Sequence, residues 1–340
     1  MNTEIYDLTD DKIYETAINN AADAIKNGGI VVFPTETVYG LGADATNTEA
    51  VKKIFTAKGR PQDNPLIVHF ARFEDCYEYV GEVSEWAKVI ARKFMPGPIT
   101  VIVKRSDRLS DSVTAGLDSV GVRVPSDRFA RDFLAKASVP VAAPSANISG
   151  RPSPTKAEYA IEDMNGKCDV ILAGNMCEVG LESTVVDCTG DKVRILRPGA
   201  VTAEELSEIV PLDEASLSED QKIRPKSPGM KYRHYKPSSY VIALDGTDED
   251  TADYLNSVSH DEDTAVIAFD GVLSLAECPV KLSLGSREDL ATAAHELFAH
   301  FRYCDKIGIK KIYVCCTDLR GVGDAYMNRL TKAMDEYIRL

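Results

Sequence analysis

The sequence predicts an α/β protein in two parts, and three observations carry the prediction. Short apolar runs rich in Val and Ile alternate with segments of helical spacing along the chain. At 340 residues the chain is long enough for about two domains of roughly 150 residues. Residues 211–239 hold four prolines and, from Lys222 to Lys236, six Lys or Arg and no acid, which reads as a linker. The expected division is therefore a first domain over 1–210, a linker over 211–239 and a second domain over 240–340.

In the first part Ile13, Ala17, Ala21 and Ile25 recur at helical spacing up to Gly28-Gly29, and Ile30–Phe33 follows as a buried strand. Thr48 is the expected N-cap of a second helix carrying Val51, Ile54 and Phe55, with the next strand at Leu66–Phe70. Further strands are expected at Ile99–Lys104, Val120–Val124, Val139–Ala142, Val170–Leu172, Thr184–Asp187 and Val193–Leu196. Helices fall near Ser84–Phe94, Asp127–Lys136, Thr155–Met164 and Thr202–Ile209, the last with Thr202 and Glu205 at capping-box spacing.

The second part alternates more regularly. Strands at Tyr240–Leu244, Ala265–Phe269 and Lys311–Cys315 are separated by helices near Glu249–Val258 and Arg287–Tyr303, with a last helix over Gly323–Ile338. This pattern predicts a smaller parallel α/β sheet.

Charge and composition narrow the function. Hydrophobic residues make up 44% and charged residues 27%, enough to bury a core and too apolar for wholesale disorder. A net charge of −14 disfavours a general nucleic-acid coat and requires that any anionic ligand meet a local cationic pocket. The eight cysteines show no CxxC pair, and the amino terminus MNTEIYDLTDDK carries acids where a signal peptide needs bases. No apolar run reaches the ~18 residues of a membrane span. A cytoplasmic protein without membrane contact is expected.

Some familiar motifs fail on geometry. Gly40-Leu41-Gly42-Ala43-Asp44-Ala45 fits a dinucleotide fingerprint, but PTETVY separates it from the preceding strand, whereas the fingerprint needs its glycines at the strand-to-helix turn. His295 and His300 lie five apart, about 140° around a helix rather than the about 40° of a zinc-protease pair. Neither a P-loop nor a G-x-S-x-G elbow is present.

Five segments next to expected strands are rich in anion-binding groups. These are Pro34–Gly42, Lys58–Leu66 with Lys58, Arg60 and Asn64, Val120–Pro125 with Arg123, Pro144–Gly150 with Ser145 and Asn147, and Leu181–Asp187 together with Arg197. A guanidinium inside the apolar strand at Arg123 needs a carboxylate or phosphate partner, from the protein or from a ligand. Strand ends of an open α/β sheet are where ligands bind, so one convergent polyphosphate pocket is expected.

In this order and spacing, FPTETVYGLGADA, Lys58-Gly59-Arg60 with NPLIVH, MPGPIT, VGVRVP, the Ser145-Ala146-Asn147 element of APSANISG, LESTVVD and ILRPG resemble the threonylcarbamoyl-AMP synthases, whose catalytic module is the YrdC-like domain. The likeness covers nearly all of residues 10–210. It continues through SPGMKYRHYKP (Ser227–Pro237) and GDAYMNRL (Gly323–Leu330) in the two-domain form of that family. The resemblance implies a YrdC-like twisted, open α/β sheet with a cationic cleft, followed by a smaller Rossmann-like parallel domain. It also implies a nucleotidyltransferase that converts L-threonine, bicarbonate and ATP, with Mg2+ on the ATP phosphates, to threonylcarbamoyl-AMP and pyrophosphate. The product feeds the tRNA threonylcarbamoyl-transfer machinery that makes N6-threonylcarbamoyladenosine.

Carried across position by position, the resemblance implies a threonine set of Thr37, His69, Arg123, Ala143 and Ser183. The implied ATP set is Lys58, Arg60, Asn64, Ser119, Ser145, Asn147, Ser153, Arg197 and Tyr235, with Lys58 and Arg60 stabilising the charge that develops on the phosphates. No metal ligand from the protein and no covalent nucleophile is implied. The basic linker, with Tyr232, His234 and Tyr235, is expected to close over the cleft. The rival expectation is an RNA-binding module with a cationic cleft and no chemistry, whose affinity would fall steeply with salt. Direct tRNA binding is left open.

Overall fold

A computed structural model gives residues 2–213, 235–258 and 261–340 of the protein. Strand β1 (Glu4–Asp7) leads into helix α1 (Asp11–Lys26), which Asp10 caps by accepting from the Lys12 amide. The apolar stripe of α1 (Ala17, Ile18, Ala21, Ala22 and Ile25) is buried, as its spacing requires. Then come β2 (Val31–Phe33), β3 (Gly40–Asp44), α2 (Thr48–Lys58), β4 (Ile67–His69), α3 (Glu85–Phe94) and β5 (Ile99–Lys104). A short α4 (Asp111–Thr114), β6 (Ser119–Arg123), α5 (Arg128–Ala137), β7 (Val141–Ala142), α6 (Ala157–Met164) and β8 (Val170–Ala173) follow. This part closes with β9 (Thr184–Asp187), β10 (Arg194–Arg197) and α7 (Ala203–Ser207), where Thr202 and Glu205 form the expected capping box.

Among the described residues these strands form one mixed sheet, ordered β1-β8-β2-β3-β7-β4-β6-β5-β9-β10. Parallel and antiparallel pairs are interleaved: β4 runs parallel to β6 and antiparallel to β7, and β5 runs antiparallel to β6 and parallel to β9. One face is covered by α1 and α5, whose Phe133 ring lies 5.2 Å from Phe33. The opposite core is built on Tyr39, Leu41, Ile54, Val101, Val122 and Val186.

The second part comprises β11 (Tyr240–Asp245), α8 (Asp248–Ser257), β12 (Thr264–Ala268), α9 (Asp270–Leu275), β13 (Val280–Ser283), α10 (Leu290–Ile307), β14 (Lys311–Cys315), α11 (Val322–Ala333) and β15 (Glu336–Arg339). Its strands pair in parallel throughout, in the order β13-β12-β14-β11-β15. Phe269, Leu297, Phe298 and Phe301 fill its core, which also takes in Val38 and Leu181 from the first part.

The structure departs from the sequence expectations at several points. Asn47, not Thr48, caps α2, because its side chain accepts from the Glu49 and Ala50 amides while the Thr48 hydroxyl meets Ser110 Oγ at 2.9 Å. Gly40–Asp44, read as a loop, is strand β3, which rules out a dinucleotide turn there. The last helix ends at Ala333 and the chain returns as β15, where a helix to Ile338 was expected. Strands β1 and β13 and helices α4 and α9 were not anticipated. His295 Nδ1 meets the Glu178 carbonyl at 2.8 Å and His300 Nε2 the Ser283 carbonyl at 2.7 Å, so the two imidazoles serve different contacts.

The two sheets meet closely at Gly180. Its φ is +76°, and a Cβ there would stand 2.4 Å from the His295 carbonyl oxygen of α10. Gly180→Ala should cost about 2 kcal/mol or more through left-handed backbone strain and overpacking. Chemical denaturation checks this, and an unchanged midpoint would contradict the close approach.

Candidate active site

The strand ends of the large sheet converge on one cavity. In β4 and β6 the parallel register sets His69 directly opposite Arg123. Next to them β7 ends at Ala142, Ala143 donates its amide to the Ile67 carbonyl, and Gly40 bridges to Ser145. Ser183 precedes β9 and Arg197 ends β10, so both arrive on the same side. The void that remains between them is about 60 Å³.

His69, Arg123, Ala143 and Ser183 are among the residues that line the cavity. Arg123 is 4% exposed and donates from Nη2 to Thr37 Oγ1 at 2.8 Å. The same Nη2 lies 2.9 Å from Glu36 Oε2, off the N–H direction, so Glu36 balances the charge without accepting an aligned hydrogen bond. The guanidinium in an apolar strand thus has a protein carboxylate beside it. Its Nε and the His69 Nδ1 are nonetheless buried without a hydrogen-bond partner. Buried groups left in this state mark where a ligand's polar atoms would fit. Ser183 Oγ lies 2.8 Å from Thr100 Oγ1 and accepts from Arg197 Nη2 at 3.2 Å.

Burial, reinforced by the Arg123 charge, pulls the His69 pKa down to about 3, so the ring is neutral at working pH. Unfolded His69 takes up a proton below about 6.5 and folded His69 does so only near 3, so this residue makes stability fall as pH drops through that window. His69→Gln should remove that share of the loss, read as denaturation midpoints at pH 7 and pH 5. Parallel pH dependence in the two proteins would count against a neutral, buried imidazole.

Arg60, Ser145, Arg197 and Tyr235 line the same cavity, together with Glu182. Helix α2 ends at Gly59 in the left-handed region, which turns Arg60 inward, where Nη2 donates to the Pro65 carbonyl at 3.3 Å. Arg197 Nε donates to the Ser183 carbonyl at 3.1 Å. Burial lowers the Arg197 pKa from its usual value and raises that of Tyr235. The Tyr235 ring is 5% exposed and lies 5.2 Å from Phe298.

Other expected site residues stand behind this wall. Lys58 is 2% exposed and turned away from the void: Nζ donates to the carbonyls of Ser145 and Asn147, and burial pulls its pKa well below the usual lysine value. Asn147 Oδ1 accepts from Ser145 Oγ at 2.5 Å, and Ser153 donates to Glu182 Oε1 at 2.6 Å. Asn64 is buried with both side-chain polar atoms unpaired, outside the cavity lining. Ser119 opens β6 at the end away from Arg123, about 13 Å along the strand, and does not line the cavity. Tyr232 and His234 of the expected lid lie outside the described residues. Among the described residues no group of three His, Cys, Asp or Glu is placed to hold a metal ion.

Two cavity-wall features carried no role in the sequence reading. Glu182 puts a carboxylate among the cations, and Arg329 of α11, fully buried, donates from Nε to Glu182 Oε2 at 3.1 Å. No spacing rule connects residues so far apart in the chain.

Comparison with known proteins agrees with this geometry. Residues 23–199 match a family described as telomere recombination, that of Sua5, YciO and YrdC, and residues 201–334 match the threonylcarbamoyl-AMP synthase C-terminal domain. The chain is 39% identical over 331 residues to a threonylcarbamoyl-AMP synthase of Bacillus subtilis, covering 96% of each chain. It is 38% identical over 336 residues to that of Pyrococcus abyssi, covering 95% of each. The crystal structure of P. abyssi Sua5 complexed with L-threonine matches all of both chains with a TM-score of 0.89 and 37% identity. Escherichia coli YciO, at 22% identity, covers 58% of this chain with a TM-score of 0.51 and shares the fold of the large sheet. The α/β architecture is therefore a YrdC-like sheet joined to a smaller parallel one, and the chain belongs to the threonylcarbamoyl-AMP synthase family.

Proposed function

We propose that this chain joins L-threonine, bicarbonate and ATP into threonylcarbamoyl-AMP with release of pyrophosphate. The observation that carries the proposal is the single cavity that Arg123, Arg60 and Arg197 line together. An amino-acid carboxylate pairs with Arg123 in this reading, while Thr37, Ser183 and neutral His69 meet its amine and hydroxyl. Ser145, Arg60, Arg197 and Tyr235 face the nucleotide. Asn147, Ser153 and Lys58 brace those residues from behind, and Asn64 and Ser119 belong to the wider ATP set.

The chemistry balances without a covalent enzyme intermediate. The threonine amine and bicarbonate give an N-carboxylate and water. A carboxylate oxygen attacks the α-phosphorus, and the bond to pyrophosphate breaks. Negative charge grows on the phosphate oxygens, where Arg60 and Arg197 are already held in place. Lys58 acts through the loop it anchors: its Nζ fixes the carbonyls of 145 and 147 and thereby the Ser145 hydroxyl. Magnesium in this proposal accompanies ATP on its phosphates, where it would offset part of their charge.

A void of about 60 Å³ is small beside the 300–1,000 Å³ or so of ordinary ligand pockets, so the cavity must widen when ATP enters. The product passes to the tRNA threonylcarbamoyl-transfer machinery. A reducing cytosol suits the eight free cysteines, and no helix among the described residues is long and apolar enough to cross a membrane. The division into 1–210, a linker and 240–340 is supported by the two separate sheets. Pyrophosphate release tests the activity: it should require both bicarbonate and threonine, and equal release with serine in place of threonine would point to a different substrate.

A further inference from the structure

We propose that Arg329, carried by α11 of the C-terminal sheet unit, is a positioning residue of the ATP end of the site, where it neutralises Glu182 so that a carboxylate in the wall does not repel the triphosphate. The proposal rests on the function proposed above.

A carboxylate is out of place in a cavity built for polyphosphate, and Glu182 is 7% exposed there. Arg329 makes two hydrogen bonds to Glu182 and a third to a neighbouring segment. Nε donates to Glu182 Oε2 at 3.1 Å, Nη2 to the Glu182 carbonyl at 3.0 Å and Nη1 to the Pro198 carbonyl at 2.5 Å. One guanidinium thus ties together the segments that present Ser183 and Arg197. The other Glu182 oxygen accepts from Ser153 Oγ, so both carboxylate oxygens are turned to donors.

Among the described residues, the groups that act on Glu182 are Arg329 and Lys332 of α11, Arg197 of β10, Lys58 of α2, and the Ser153 and Tyr235 hydroxyls. Burial alone would push the Glu182 carboxyl up. The Arg329 and Arg197 charges, with the Ser153 hydrogen bond, outweigh it and hold the group below its usual value. With Arg329 present, the sum over Glu182, Arg197 and Arg329 is one positive charge; without Arg329 it is zero. The C-terminal unit therefore supplies a charge that the triphosphate end uses, as well as the apolar contacts to Val38 and Leu181.

The test measures ATP dissociation constants by calorimetry on the full chain at pH 6 and pH 8, with product formation scored in the same samples. Arg329→Met should weaken ATP binding about tenfold at pH 8, where Glu182 has lost its Arg329 partner, and less at pH 6, since a carboxylate released from that charge protonates more readily as pH falls. Adding Glu182→Gln to that variant should recover most of the loss at pH 8 and remove the extra pH dependence. A merely structural Arg329 would not produce a pH effect that depends on Glu182, and equal constants for the single and double variants at both pH values would overturn the proposal.

Should Arg329→Met fail to fold, Glu182→Gln alone decides. It keeps the shape, leaves Arg329 unbalanced and should tighten ATP binding severalfold, so an unchanged constant would overturn the proposal. Wild type that binds ATP but makes no threonylcarbamoyl-AMP would sink the synthase reading, and the dissociation constants would still judge the pairing.

Discussion

Replacing Arg123 with methionine should lower kcat/KM for threonine by on the order of a thousandfold and leave the KM for ATP nearly unchanged. Arg123 lines the cavity opposite His69, and its Nε is buried without a partner. A substrate carboxylate that meets this group desolvated cannot replace it with water when it is gone. The same substitution leaves Glu36, 3% exposed, as a buried carboxylate without its counter-charge, which should cost about 3–5 kcal/mol of stability. The double variant Glu36→Gln/Arg123→Met should recover much of that stability and none of the threonine specificity. Steady-state kinetics with denaturation of both variants checks this, and full threonine kcat/KM in either would remove Arg123 from the substrate site.

Arg60→Ala should lower kcat by about a hundredfold to a thousandfold with threonine affinity intact. Arg60 is 9% exposed, enters the cavity directly after the left-handed Gly59 turn and is steadied by the Pro65 carbonyl. A guanidinium held in place before the substrates arrive stabilises phosphate charge without reorganising, and a flexible surface lysine could not substitute for it. Single-turnover rates separate this from a binding defect. A variant with normal turnover and weak ATP binding would place Arg60 in the ground state only.

Most elements were legible where periodicity and chemistry agreed. The stripe of α1, the strand at Ile99–Lys104 and the Thr202/Glu205 capping box follow directly from residue spacing. Strand β3 was not legible because Gly40 and Gly42 read as a flexible loop. They are glycines because the backbone is crowded: a Cβ on Gly42 would stand 2.6 Å from Val141 Cγ1. The edge strands β1, β13 and β15 hold only exposed and half-buried positions, leaving too weak an apolar pattern to read.

The gathering of cavity residues was foreseeable because strand ends in an open sheet share one side. The fine geometry was not. Lys58 looked like a phosphate ligand, yet its Nζ is held by the carbonyls of a loop nearly ninety residues away, a contact that no local pattern encodes. The pairing of Glu182 with Arg329 spans both sheets and arises only from how α11 docks.

The central claim is that one cavity joins an amino acid to a nucleotide. Mass spectrometry of ATP, bicarbonate and threonine incubated with the wild type tests it most directly. The account predicts an adduct of AMP with N-carboxythreonine that accumulates with pyrophosphate and is nearly absent with Arg60→Ala. ATP consumed with no such adduct, or adduct formed equally by the variant, would contradict it.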